Sequence, residues 1–562
     1  MIATLPILSS WLANKHEASI QDLGLPLVIC LITALLAPLA VKKLWKTDRL
    51  TAILTVVVAT LIITTDYQDR LDALYPLFKA INPLPKLIDW PVYSLVFIVL
   101  ALIASRLLAK TLAAAVDRMK WNRRDIFGGV ALAVVATFVL NAGPVAVQVA
   151  GAWPQYFYKP IQLPAATAAA AKADKPDIYY IVLDRYTNND VMKSQFGYDN
   201  SDFLQFLSDK GYYVNNSGHN NYPYTTMSIA STMAAGYNND IINRFAGSDA
   251  QTTVPFDETV RNSPVASALK SIGYDYTLLG NWYETSNRSD LANTASLTAG
   301  RLTIFGQTIT LNNLAKNYLT HSAVWRFMDF GWSVGNFKIL SYENLGDVDM
   351  DLYQLGQLKA LANAKSGGRF VFAHLLMPHD PYYFNADGSL SNISGNDNYG
   401  APLKQKYVGQ VKFVNDQMKN ILTAIDKNSG GKAVVVLQSD EGPYPNQLND
   451  QQLDFATSSS ELGKGDMTKW SPANLRMKYG NLAAYHIPAA DFSRPAVADA
   501  ADNANVFRLV FNSYFGYDFG YLPDCYYAYP DGRDRPMIFT DITKQLTGKT
   551  PDARCSSNGT VN

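Results

Sequence analysis

The sequence predicts an α-helical transmembrane bundle followed by an α/β domain whose central, mostly parallel sheet is flanked by helices. Two observations carry this reading. Four long apolar stretches crowd the first 152 residues, and from Asp177 onward short β-branched and aromatic runs alternate with amphipathic stretches. The averages conceal the split: of 562 residues, 48% are hydrophobic, 17% are charged, and the formal net charge is zero. Such a balance excludes the cationic excess with which proteins neutralise nucleic-acid phosphates.

The apolar stretches run from Leu23 to Val41, Leu50 to Thr65, Val92 to Ala109 and Ile126 to Ala152. Each approaches the ~20 residues that cross a hydrocarbon core, the second being somewhat short. Lys42, Lys43, Lys46 and Arg49 follow the first, and Lys110, Arg118, Lys120, Arg123 and Arg124 separate the third from the fourth. The connection between the second and third carries Asp66, Asp69, Asp72 and Asp89 instead. Cations near span ends are retained in the cytoplasm, so both basic loops face inward and everything after Ala152 lies outside. The first span lacks a short h-region with a small-residue cleavage pattern, so no cleavable signal peptide is expected. Residues 1–152 form the membrane domain. Residues 153–176 read as an interfacial segment (Trp153, Tyr156, Tyr158, Pro160) and an Ala-rich linker, and residues 177–562 as the extracytoplasmic domain.

In that domain four runs read as buried strands: Ile178 to Leu183, Tyr274 to Leu279, Phe370 to Leu376 and Ala433 to Leu437. Asp202 to Lys210 and Val411 to Ile425 read as helices, the latter apolar at 411, 414, 418, 421, 422 and 425. The first strand ends in Asp184, and the last in Gln438-Ser439-Asp440-Glu441-Gly442. Acidic side chains at the C-terminal edge of a parallel sheet stand where such folds bind ligands, and three carboxylates there repel unless a cation shares them. Asp184, Asp440 and Glu441 are therefore candidate ligands for one divalent ion, their oxygens favouring Mn²⁺ or Mg²⁺ and compatible with Zn²⁺. The competing use is capping of the next turn or helix. Asn221 to Met233 is a hydroxyl-rich loop running into an Ala-rich helix, which puts Thr225 or Thr226 at a helix N-terminus. A hydroxyl there serves either as an anion-side nucleophile beside a metal or as an ordinary N-cap. His374 and His379 follow the third strand, with Pro378 and Pro381 fixing their loop, and are candidates for anion binding or leaving-group protonation. Cys525 and Cys555 form either a disulfide or two free thiols.

In order, these motifs resemble the alkaline-phosphatase and sulfatase superfamily. The similarity spans about residues 177–490, in the membrane-anchored sulfatase-like branch of lipoteichoic acid synthases and phosphoethanolamine transferases. The resemblance implies an alkaline-phosphatase-like domain. Asp184 ends the strand as a metal ligand, and Thr225, three residues before Ser228, is the nucleophile. With no Cys at that position, the resemblance implies an unmodified Thr in place of the formylglycine of true sulfatases. Pro378 to Tyr382 matches a segment that sets His379 near the transferred group. The last motif is usually Ser-Asp-His-Gly, both central residues binding metal, and here Glu441 replaces the His. Arg185 stands where small or acidic residues are usual, either clamping a phosphate or neutralising carboxylates. His486 is a weaker site candidate.

Taken together, the expected site comprises Thr225 as catalytic group, with Asp184, Thr225, Asp440 and Glu441 on one divalent ion. His379, His374 and Arg185 contact substrate. The expected activity is metal-dependent transfer or hydrolysis of phosphate esters, from a membrane lipid donor to an envelope glycan or lipid acceptor, at the outer face of a bacterial inner membrane. A catalytically inactive envelope protein that binds lipid or a partner is the alternative.

Overall fold

The computed structural model describes residues 5–13, 15, 20–47, 51–53, 55–56, 59, 86–119, 123–165, 175–295, 301–310, 316, 319, 328, 331–334, 337–343, 347–364, 367–391, 401–445, 466–530 and 535–561. Two compact units emerge, Met1–Trp153 with Ala299–Leu345, and Pro154–Thr298 with Gly346–Asn562. The expected boundaries contain no excursion at 299–345. Its four strands, Arg301–Ile304, Gln307–Thr310, Trp332–Val334 and Phe337–Glu343, pair antiparallel in a sheet of their own. That sheet buries Leu302, Met328 and Tyr342 together.

The first unit also holds the helices Leu5–Ala13, Gly24–Trp45, Lys86–Arg118 and Arg123–Gly151. Three of the expected spans fall inside the last three of these helices to within one residue at an end, and most of the second, Leu50 to Thr65, lies outside the described residues. Among the described residues, one stretch is long and apolar enough to cross a membrane: Leu95–Leu112, with a mean hydropathy of 2.1. Val28, Ile32, Leu36 and Leu39 are exposed at helical spacing on Gly24–Trp45.

The second unit is built on a seven-stranded sheet. In chain order its strands are β1 (Ile178–Leu183), β2 (Tyr213–Asn215), β3 (Asp275–Leu279), β4 (Thr294–Ala295), β5 (Arg369–Leu375), β6 (Val434–Gln438) and β7 (Ala483–His486). They lie in the order β2-β7-β6-β1-β5-β3-β4, parallel from β6 to β4, with β7 and β2 antiparallel at one edge. Strand alternation assigns the two faces. Ile178, Tyr180 and Val182 enter one apolar core with Phe370, Phe372, Val434 and Val436. Tyr179, Ile181 and Leu183 enter the other with Val371, Ala373, Val435 and Leu437. Because both faces are covered, β1 reads as the continuous run IYYIVL, all six residues buried.

Residues 154–165 do not hang free as a linker. Gln155 is fully buried, donating to the Ala250 carbonyl at 2.8 Å and accepting the Thr252 amide at 2.9 Å, and the Tyr158 hydroxyl donates to Asp240 at 3.0 Å. Tyr156 and Tyr158 are thus core residues, whereas Trp153 and Phe157 stay exposed. Residues 166–174 lie outside the described residues. At the far end of the unit, Cys525 and Cys555 are disulfide-bonded, with Cα atoms 5.6 Å apart.

Candidate metal centre

The register of the sheet collects the site. Val182 lies opposite both His374 of β5 and Gln438 of β6, so the residues just past these points meet at one edge. There Asp184, His374 and Asp440, all buried, can each offer one ligand atom within 4.8 Å of the others. His374 Nε2 lies 3.6 Å from Asp184 Oδ2 and 4.0 Å from Asp440 Oδ2, too far to hydrogen-bond. His374 Nε2, Asp184 Oδ1 and both Asp440 oxygens have no hydrogen-bond partner, though fully buried. Orphaned acceptors of this kind are what a cation satisfies, so the residues present fit one divalent ion.

The carboxylates divide the charge between them. Burial works to raise Asp184, but the positive charges near it, His379 first and Arg185 among them, outweigh it and bring it down to about 2. Burial, reinforced by the charges of Asp184 and Glu441, holds Asp440 well above the usual carboxylate range, against the pull of the Thr225 hydroxyl.

Thr225 opens the fully buried helix Thr225–Met233 and lines a cleft of about 90 Å³ with Asp184, Arg185, His379, Asp380 and Glu441. Tyr224 holds the N-cap position without a side-chain cap, so Thr225 is not spent on capping. Thr226 instead bonds Tyr283 and Thr285, at 3.1 and 2.8 Å.

Glu441, expected beside the metal, lines the same cleft and is paired there with two side-chain cations. Its Oε1 accepts from Arg185 Nε at 2.9 Å, and its Oε2 pairs with Lys478 Nζ at 2.8 Å. Arg185 also pairs with Asp380 and lies over the Tyr444 ring, 4.8 Å from its centroid. Lys478 sits 3.7 Å from the same centroid. Burial drives Lys478 down to about 8 against the pull of Glu441. Burial also opposes the charge of Arg185, and Asp380 and Glu441 more than compensate, raising it. Charge counting explains the arrangement: Glu441 and Asp380 balance Arg185 and Lys478, which leaves Asp184 and Asp440 to match one dication. Arg185 adopts φ 59°, a left-handed conformation that costs a non-glycine residue about 1–2 kcal/mol, and the Tyr407 hydroxyl donating to its carbonyl at 2.8 Å helps hold it. Gly442 makes the close approach possible. Its amide donates to the Lys478 carbonyl at 2.7 Å, and a Cβ there would run into the Met477 carbonyl.

His379 lines the cleft with Nδ1 against the Asp380 carbonyl. His486 lies elsewhere. It pairs with Val435 in register, and its Nδ1 bonds the Ala433 carbonyl at 2.8 Å, at the end of β6 opposite Asp440. Lys478, Tyr444 and Asp380 were absent from the sequence reading. For Lys478 and Tyr444 no local signal exists; Asp380, next to His379, was within reach.

The sulfatase family's sequence profile matches residues 176–488, more than half of the chain, and the protein belongs to that family. Solved structures similar in fold include the C-terminal periplasmic domain of EcEptC from Escherichia coli in complex with Zn. It is 11% identical, with 69% of this chain and 99% of that one covered and a TM-score of 0.40. Another is BT1596, a 2-O GAG sulfatase, 13% identical, with 62% and 72% covered and a TM-score of 0.36. No curated protein sequence matches the chain.

Proposed function

We propose that this sulfatase-family protein is a membrane-anchored, metal-dependent enzyme that transfers or hydrolyses phosphate esters through Thr225. The observation that carries the reading is Thr225 at the head of a buried helix, lining one cleft with Asp184 and Glu441, where buried atoms of Asp184, Asp440 and His374 have no hydrogen-bond partner. A divalent ion bound there would lower the hydroxyl's pKa and offset charge on the phosphoryl oxygens. Thr225 Oγ1, releasing its proton to solvent, forms a bond to phosphorus as the ester P–O bond breaks, giving a phosphothreonine. His379, oriented through Asp380, protonates the departing oxygen. Attack by an acceptor hydroxyl or water then breaks the Thr225 ester. Arg185, anchored on both sides by Glu441 and Asp380, faces the transferred oxygens.

The membrane anchor rests on Leu95–Leu112, on the exposed apolar side of Gly24–Trp45, and on the four apolar sequence stretches with their basic loops. The orientation drawn from those loops sets the second unit on the periplasmic face of a bacterial inner membrane. A lipid-headgroup donor and an envelope glycan or lipid acceptor suit that location.

The second reading, a catalytically silent binding protein, draws on the ion pairs that hold Arg185 across the cleft. Intact-mass analysis separates the two. Wild type and Thr225→Ala are incubated with Mn²⁺ and a lipid extract of the native membrane. A phosphoryl-containing adduct on wild type alone supports the enzyme; no adduct and no bound metal sinks it.

A further inference from the structure

We infer that the nitrogen ligand of this metal centre is His374, and that Asn281 and Ser286 are the positioning residues that present its Nε2 unprotonated. The inference rests on the metal reading above and goes beyond it by naming the donor and the groups that set its tautomer.

Asn281 is fully buried. Its Nδ2 donates to the His374 carbonyl at 2.8 Å, and its Oδ1 accepts the Tyr283 amide at 2.8 Å. Both partners have fixed polarity, so the orientation of the amide is fixed too. Ser286, also fully buried, places its hydroxyl 3.1 Å from Asn281 Oδ1 and 2.7 Å from His374 Nδ1. Asn281 Oδ1 has no hydrogen to give, so the single Ser286 proton goes to it. The Ser286 oxygen must then accept, and the donor is His374 Nδ1–H. A neutral imidazole protonated at Nδ1 carries its lone pair on Nε2. That lone pair faces Asp184 and Asp440, acceptor against acceptor, in a fully buried pocket. Such a juxtaposition is unfavourable by itself and becomes favourable around a cation; a second partner on the other ring nitrogen is how metal-bound histidines are oriented.

Position 441 completes the case. Glu441 accepts from Arg185 through Oε1 and has Lys478 Nζ 2.8 Å from Oε2, so two side-chain cations already face its charge. The imidazole comes from the C-terminal end of β5. The resulting set of two carboxylates, one imidazole and the Thr225 hydroxyl mixes nitrogen with oxygen donors and suits Mn²⁺ and Zn²⁺ better than Mg²⁺.

The test uses the purified full chain loaded with Mn²⁺. Electron spin echo modulation should show a directly bound imidazole nitrogen in wild type and in His379→Gln, and lose it in His374→Gln. Ser286→Ala should weaken Mn²⁺ binding about 10- to 100-fold by calorimetry, with Ser286→Thr restoring it and Glu441→Gln changing it by less than Ser286→Ala does. Bound Mn²⁺ with no nitrogen modulation in wild type overturns the assignment while leaving the metal reading intact. Modulation that disappears in His379→Gln instead also overturns it, and absence of stoichiometric Mn²⁺ overturns both. The wild-type and His379→Gln spectra decide the matter even where a buried substitution prevents folding.

Discussion

Replacing Asp440 with asparagine is expected to stabilise the protein without metal and destabilise it with metal. Asp440 is fully buried beside Asp184 and Glu441, and its carboxyl is held well above the usual range. For an acid whose folded pKa is raised, stability is complete below the unfolded value, 3.8, and is lost as pH rises toward the folded one. At neutral pH the metal-free fold therefore carries a penalty that the amide removes. Its size is that of an uncompensated buried polar group, on the order of 1–3 kcal/mol. With Mn²⁺ at a hundredfold excess over Kd, wild type gains about 2.7 kcal/mol. Asp440→Asn, lacking an anionic ligand, gains little. Thermal unfolding followed in chelator and in Mn²⁺ should show the order of the two proteins reverse, by about 2–4 °C per kcal/mol or somewhat less at this size. A variant less stable in chelator that gains the full Mn²⁺ increment would refute the reasoning.

Further outcomes follow from the same geometry. Because burial and the charges of Asp184 and Glu441 raise Asp440 above the usual carboxylate range, Mn²⁺ affinity should fall as pH falls, and calorimetry in buffers of different ionisation enthalpy should reveal proton release. Lys478→Met should cost about 3–5 kcal/mol in chemical denaturation by leaving Glu441 half-paired, and adding Glu441→Gln should recover part of it; simple additivity would count against the pairing. Reducing Cys525–Cys555, which closes a separation of 30 residues, should lower stability by about 3–4 kcal/mol on the loop-entropy estimate, and an unchanged denaturation midpoint would exclude that contribution.

The sheet was legible because parallel strands covered on both faces must be continuous apolar runs, and IYYIVL, FVFAHL and VVVLQ are such runs. Asp184, Thr225 and Asp440 were legible as candidates because each stands where one element ends and the next begins. The partition of roles was not. Whether Glu441 faces a metal or a cation depends on Lys478, 37 positions later, brought in by a helix whose sequence carries no sign of it. A histidine inside the buried run FVFAHL was a local clue to His374, since a polar ring there needs partners on both nitrogens. Ser286 and Asn281, which supply one partner, lie 88 and 93 positions away from it. The excursion at 299–345 escaped because its short strands look like any others until their pairing is known.

The segment around residues 559–561 has a bearing on how the protein is made. The Tyr222 hydroxyl, three residues before Thr225, donates to the Gly559 carbonyl at 3.4 Å, the Tyr527 hydroxyl to Thr560 at 2.6 Å, and Asn239 exchanges two hydrogen bonds with Val561 across 322 positions. The loop that carries Thr225 thus meets Gly559 only after 337 further positions of chain have been made. A chain ending before Gly559 is therefore expected to hold that loop less firmly, although every residue lining the cleft is still present.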